Sequence, residues 1–280
     1  MKQSANKRWQ EGKKIHIKLS EKASDTYDKD YAKANYSTGL YMQYELETID
    51  RAIAALKNKR SLALDLGSGT GRDMLHYTNK FKKVIGYDFS PKMIKISIEN
   101  AKRKNIKNVE FSQRDLDQNG LFDVPKNSVD FINAGFGMGS FFENIDRLLT
   151  DMKRVLKPGG MFTMSFYNSQ PLIDNLPRNL WSPSLSVKIE AKTKKLIVNV
   201  NNNEFAISSK AYSRKELESK FSEYFKIVEI SSFPTLSSIL PNQVFKNAKI
   251  RELTKFVDYS IRLNEDFANG PYLLMVCKKN

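Results

Sequence analysis

The feature that most constrains this chain is the run Ser61-Leu62-Ala63-Leu64-Asp65-Leu66-Gly67-Ser68-Gly69-Thr70-Gly71-Arg72-Asp73. A short apolar segment ends in an acid, breaks into alternating glycines and passes into a helical pattern. A strand, a glycine loop and a helix in this order build a nucleotide-shaped pocket at the carboxyl end of the strand. The glycines let backbone approach a ligand with no Cβ in the way. The N–H groups that open the next helix then face an anionic group. The run predicts an α/β fold and a bound adenosine-bearing cofactor.

The spacing discriminates among such cofactors. A dinucleotide loop needs Gly-x-Gly-x-x-Gly, and its third glycine position is Arg72 here; the pattern present is Gly67-x-Gly69-x-Gly71, with Asp65 two residues ahead. A diphosphate sits poorly beside that carboxylate, whereas a ligand with an amino group and a sulfonium sits well. The run resembles the first motif of the class I S-adenosylmethionine-dependent methyltransferases, (Asp/Glu)-x-Gly-x-Gly-x-Gly. The resemblance covers Tyr27–Tyr167 closely and Tyr212–Lys279 in outline. It implies a Rossmann-like, mostly parallel sheet of seven strands with the last one antiparallel, helices on both faces, and S-adenosylmethionine as cofactor.

Further positions fit that expectation. Val84–Asp88 reads as a second strand ending in an acid, about 20 residues past the loop, where a carboxylate can accept from both ribose hydroxyls. Phe89-Ser90-Pro91 opens a helix with proline at a tolerated position, so Phe89 and Met93 are candidates to flank an adenine ring. After a third strand, Asn108–Ser112, the family places an acid that accepts from the adenine amino group. Asp115 takes that place, Leu116 offers the neighbouring N–H, and Asp117 is the competing acid. The resemblance thus assigns the cofactor to Asp65, Gly67, Ser68, Gly69, Gly71, Asp88, Phe89, Met93, Asp115 and Leu116. Asn133 and Gly135 join them, because the fourth strand, Val129–Ala134, ends beside the transferring methyl group. Asn133-Ala134-Gly135-Phe136 resembles the Asn-Pro-Pro-(Phe/Tyr) signature of amine methylation but lacks both prolines. In the family a tyrosine-bearing segment before the first strand folds over the methionyl end. Tyr27 and Tyr36 are the candidates for it, with covering of the sheet edge as the alternative.

Residues 1–24 carry Lys7, Arg8, Lys13, Lys14 and Lys18 with little apolar periodicity, which predicts a mobile or partly ordered basic arm. Residues 25–280 form the methyltransferase-like domain, with insertions at about 170–211 and 233–270. Ser186–Ser208 alternates apolar and polar residues around the turn residues Asn201–Asn203, predicting an inserted antiparallel ribbon. Phe233–Gly270 contains an amphipathic helix. It is expected to form a helical lid, with Phe245, Ala248, Leu253, Phe256, Val257, Ser260 and Ile261 toward the pocket mouth and Lys246, Lys249, Arg251 and Lys255 toward solvent; a helix that merely extends the core is the alternative.

The formal net charge of +15 favours anionic partners, RNA among them, unless it reflects a lysine-rich background. No window approaches the roughly 18 apolar residues of a spanning helix. The first 22 residues lack the apolar centre of a secretory signal. The single cysteine, Cys277, excludes an internal disulfide, suits a cytoplasmic protein, and reads as buried filler. No cluster of side chains suggests a metal. Only His16 and His76 are present, one in the arm and one in the helix after the loop, so an oxygen acceptor activated by histidine is disfavoured. An amine, imine, thiol or activated carbon remains, or an oxygen assisted by tyrosine or by a carboxylate such as Glu143; no catalytic residue is assigned. Three readings stay open: methylation of a small molecule, of RNA or an RNA cap, or a non-catalytic cofactor-binding partner subunit.

Overall fold

The computed structural model describes residues 2–23, 35–57, 59–175, 186–190, 195–200 and 203–280. The apolar runs bounded by turn residues become β1 (Leu62–Leu66), β2 (Lys83–Asp88), β3 (Val109–Gln113), β4 (Val129–Ala134) and β5 (Leu156–Asn168). These five pair in parallel, and every residue of β4 is buried, as expected for a strand covered on both faces. Two later strands, β10 (Lys226–Phe233) and β11 (Tyr272–Lys278), complete the row β10-β11-β5-β4-β1-β2-β3. β11 runs antiparallel to both of its neighbours, so the expected seven-stranded, mostly parallel sheet is present. A two-residue strand, β9 (Ala211–Tyr212), adds to the end of β5.

The chain proceeds outward from β1 to β3 and then returns to β4 on the other side of β1. That reversal is the switch point at which open α/β sheets bind ligands, and there Asp65 is in register with both Gly86 and Asn133. Successive residues of one strand serve opposite cores. Leu64 and Ile132 pack with Leu149 and Met152 of α6 (Ile145–Val155) and with Phe221 of α7 (Arg214–Ser222). Their neighbours Ala63 and Phe131 pack with Ile49 and Ile53 of α2 (Tyr36–Ala54) and with Met74 and Tyr77 of α3 (Arg72–Tyr77). The two remaining helices of the parallel half are α4 (Pro91–Arg103) and the short α5 (Leu116–Asn119). The helix expected to open at Phe89-Ser90-Pro91 is α4, capped by Ser90 ahead of Pro91, and Ser213 and Glu216 form a capping box on α7.

The predicted ribbon is a separate three-stranded antiparallel sheet, β6 (Ser186–Glu190), β7 (Lys195–Val200) and β8 (Asn203–Ser208). Residues 201–202 of its second turn lie outside the described residues.

Two expectations need correction. The basic arm is not a loose tail: it forms α1 (Lys2–Ala23), which packs on β8. Trp9, Gly12 and Leu19 are buried and His16 is half-buried, a spacing of three, four and three residues that places all four on one helical face. The face escaped notice because one of its members is a glycine. A Cβ on Gly12 would run into Ser208, so the glycine is what lets helix and strand touch, and the Ser208 hydroxyl donates to the Trp9 carbonyl at 3.2 Å.

The second correction concerns Phe233–Gly270, which contains α8 (Leu236–Ile239) and α9 (Ala248–Ile261). The apolar stripe of α9 does not face the pocket: Leu253 and Phe256 are 62% and 70% exposed, while Thr254 and Asp258 are buried. Asp258 is inside because its carboxylate accepts the N–H groups of Thr235, Leu236 and Ser237 at 2.6–3.0 Å, together with the Ser237 hydroxyl. Four donors outweigh the apolar pattern in fixing the rotation of the helix. The segment leans on α2, where Tyr259 donates to Glu47 at 2.8 Å.

Packing at Gly12 gives a first prediction. Gly12→Leu overpacks the α1–β8 contact at about 1–3 kcal/mol. The amides of α1 should then exchange hydrogen roughly tenfold faster or more, with those of β1 and β4 unchanged. Unaltered exchange in α1, followed by mass spectrometry, would show that the helix does not dock there.

Candidate functional site

The glycine loop is fastened to β2. The N–H groups of Gly67 and Ser68 both donate to the Tyr87 carbonyl, at 2.8 and 2.9 Å. The N–H of Gly69 donates to Asp88 Oδ2 and that of Ser90 to Asp88 Oδ1, each at 2.9 Å. Gly67 has a φ of +74°, and a Cβ there would strike Met138. A Cβ on Gly69 would meet nothing within 4 Å, so that residue borders open space. Burial pushes the Asp88 carboxyl up to about 6, against the pull of the backbone N–H groups of Ser90 and Gly69.

Beside this loop lies a pocket whose walls include Gly67, Asp88, Phe89, Asp115, Leu116, Met138 and Phe141. Five residues singled out from sequence, Gly67, Asp88, Phe89, Asp115 and Leu116, therefore meet in one place. Met93 is buried on α4 but is not part of this wall. The competing acid Asp117 lines the pocket as well, so the sequence distinction between it and Asp115 is not one of location.

Sequence reasoning missed the fourth wall, which is α1. Trp9, Lys13 and His16 line the pocket. Lys13 Nζ bridges Asp115 at 2.6 Å and Asp117 at 2.8 Å, and the Trp9 indole N–H donates to Asp117 at 3.3 Å. His16, read from sequence only as part of the basic arm, has its ring centroid 5.1 Å from that of Phe89 and 4.7 Å from that of Phe141. Desolvation, with the Lys13 charge second, lowers its imidazole to about 4, so it is neutral near physiological pH. His76 is on the surface, paired with Asp50 at 2.9 Å.

The ends of β1 and β4 carry a second group of buried charges. Asp65 Oδ2 accepts from the Tyr77 hydroxyl at 2.7 Å and from Asn133 Nδ2 at 3.2 Å, and Asn133 Oδ1 accepts from Thr163 at 2.8 Å. The Asn133 side chain is thus engaged within the sheet. Glu45 on α2 was not singled out, yet it is fully buried here, and its Oε1 accepts from the Tyr41 hydroxyl at 2.9 Å and the Phe136 N–H at 2.7 Å. Arg72 forks onto Asp73 at 2.6 and 2.8 Å and lies 3.6 Å from Glu45 Oε2. Burial, with Asp73 next, pushes both Glu45 and Asp65 up to about 7. Gly135 lies against this group, and a Cβ there would crowd Asp73 and Glu45.

Of the two tyrosines assigned to a cofactor lid, Tyr27 lies outside the described residues. Tyr36 is turned to the α9 segment instead: its ring stacks on Phe245 at 4.3 Å and its hydroxyl donates to the Arg251 carbonyl at 3.0 Å. Both its ring and its hydroxyl are thus engaged by that segment.

Comparison with known proteins follows this geometry. Residues 57–222 match the model of a family described as a methyltransferase domain. A demethylmenaquinone methyltransferase of Staphylococcus carnosus is 36% identical over 120 residues, which are 41% of this chain and 46% of that protein. One from Geobacillus kaustophilus is 29% identical over 163 residues, 57% of this chain and 65% of that protein. The chain therefore spans between about half and two thirds of the length of these curated relatives. In structure it is similar to a putative S-adenosylmethionine-dependent methyltransferase from Listeria monocytogenes, with a TM-score of 0.59 at 14% identity, over 86% of this chain and 99% of the other. The strand order, the glycine loop and the family match agree: this chain belongs to the class I S-adenosylmethionine-dependent methyltransferase family.

Proposed function

We propose that the protein transfers a methyl group from S-adenosylmethionine to a small-molecule acceptor, with the adenosine end of the cofactor beside the glycine loop. The observation that carries this reading is Asp88, fixed at the end of β2 and facing the pocket together with Gly67, Phe89 and Asp115. The residues present fit the cofactor. Each Asp88 oxygen already accepts one backbone N–H and keeps a lone pair for a ribose hydroxyl. Gly69 borders open space, and Phe89 offers a ring beside Leu116 and Asp115 for the base.

When bound, the sulfonium supplies an electrophilic methyl group for in-line displacement. The chain's own contribution is placement and exclusion of water. Near the ends of β4 and β5, the rings of Tyr41, Phe136 and Tyr167 gather around Tyr272, with Tyr41 stacked on it at 3.9 Å. Tyr41 and Tyr167 are buried, and the partly exposed rings of Phe136 and Tyr272 favour a flat, largely apolar acceptor. The names of the curated relatives point to the same chemical class. RNA is the weaker reading because the arm that suggested it is folded against the ribbon, with Lys13 engaged by two carboxylates. Among the described residues no helix is long and apolar enough to cross a membrane.

Two outcomes are expected. Asp88→Ala removes a charged acceptor worth about 1.5–3 kcal/mol per bond, so S-adenosylhomocysteine affinity should fall tenfold or more in calorimetry. Unchanged affinity would remove Asp88 from the cofactor site. Incubation with radiolabelled cofactor and a lysate split into lipid, aqueous small-molecule, RNA and protein fractions should put label in the lipid or small-molecule fraction. Label confined to RNA would overturn the acceptor class. Absence of transfer despite tight cofactor binding would select the non-catalytic partner subunit.

A further inference from the structure

Trp9, Lys13 and His16 follow one another at four and three residues, so α1 presents all of them on one face, and that face closes the pocket beside the glycine loop. The space left is small. The cavity between these side chains and Asp88, Phe89 and Asp115 measures about 40 Å³, against roughly 300–1,000 Å³ for pockets that enclose a small molecule. A few waters fit there, and a nucleoside does not. For the adenosine end of a cofactor to lie against Asp88 and Phe89, part of this wall has to leave.

The part free to leave is α1. Asp88 and Phe89 are fixed by the pairing of β2 with β1 and β3, whereas α1 is held by β8, by α4 and by the pocket acids themselves. What it places in the pocket has a recognisable chemistry. Lys13 Nζ donates to Asp115 Oδ1 at 2.6 Å, on the acid that the family pattern reserves for the amino group of adenine. His16 sets its ring against Phe89, the side chain expected to flank the base, at 5.1 Å and 60°, with Phe141 4.7 Å away on centroids. Desolvation keeps that imidazole neutral, as a nucleobase is. A nitrogen donor and an uncharged heteroaromatic ring therefore already stand where the two parts of a base belong.

We propose that α1 is an autoinhibitory plug, in which Lys13 takes the place of the base's amino group and His16 that of its ring, and that the cofactor binds by displacing both. This rests on the S-adenosylmethionine reading and adds a control on it. Displacement exchanges a charge-assisted bond at Asp115 for a neutral one and takes from Asp117 the ammonium at 2.8 Å. The closed form is therefore favoured, and the apparent affinity is the intrinsic one scaled by the fraction of molecules whose α1 is released. The same motion reaches the acceptor side. Ile15 and Leu19 of α1 pack with Leu196 and Ile207 of the ribbon and with Tyr167, so release also uncovers one of the rings gathered around Tyr272.

The test reads the sign of two effects. In titration calorimetry with S-adenosylhomocysteine, Lys13→Met keeps most of the side chain but removes its charge, and should bind about tenfold more tightly than the wild type. Gly12→Leu lies outside the pocket wall and loosens α1 from β8; it should tighten binding about tenfold as well, so the result does not hang on the folding of one variant. In the wild type, hydrogen exchange followed by mass spectrometry should show the α1 amides exchanging faster once S-adenosylhomocysteine is bound, while those of the glycine loop slow. Slower exchange of α1 on binding, or unchanged or weaker affinity in either variant, would make α1 a standing wall of the loaded site and overturn the plug while leaving the cofactor reading intact. Failure of the wild type and both variants to bind the ligand would overturn that reading, and the plug with it.

Discussion

A single carbonyl oxygen, that of Tyr87, fixes the geometry on which the site depends. It takes the N–H groups of Gly67 and Ser68, and the next residue, Asp88, takes the N–H of Gly69. Three consecutive donors of the loop are therefore anchored to the last two residues of β2. Buried backbone donors are expensive to leave unsatisfied, so the loop has one shape rather than several. From this anchor the pocket follows: Phe89 and Ser90 leave β2 in a set direction, α4 begins at Pro91, and the end of β3 brings Asp115 alongside.

The parts legible in the sequence are those whose cause is local. The apolar run before Gly67, the acid at Asp88 and the helix opened by Phe89-Ser90-Pro91 depend on neighbours a few residues away, and each is found where expected. Asp115 was placed by family pattern and lies in the pocket, but the pattern gave no reason to expect Lys13 on it. What stayed hidden depends on partners distant in the chain. The buried face of α1 includes a glycine and a histidine, which an apolar count passes over, and it is recognisable only when Ser208 is seen against Gly12. Asp258 turned α9 inward because its four donors lie more than 20 residues earlier. Glu45 looks like one more polar residue of an amphipathic helix until Phe136 and Gly135 close over it.

The molecule as a whole and its site have opposite electrostatic character. The chain carries +15, yet the pocket and its neighbourhood gather Glu45, Asp65, Asp73, Asp88, Asp115 and Asp117. The basic surplus acts at long range and is screened within about 10 Å at ordinary salt, whereas the buried acids act on whatever touches them. Net charge and the local charge of the site thus point to ligands of opposite sign.

The burial of Cys277 has a practical meaning. The thiol sits in β11 between β10 and β5, fully covered, and desolvation pushes it far above its ordinary titration range. A thiol in that state reacts with alkylating reagents only after the sheet has opened. The folded chain thus behaves as though it had no cysteine, while its unfolded form has one. The rate at which Cys277 becomes modified is a built-in clock for global opening of the sheet, and an added surface cysteine can be labelled without first removing the native one.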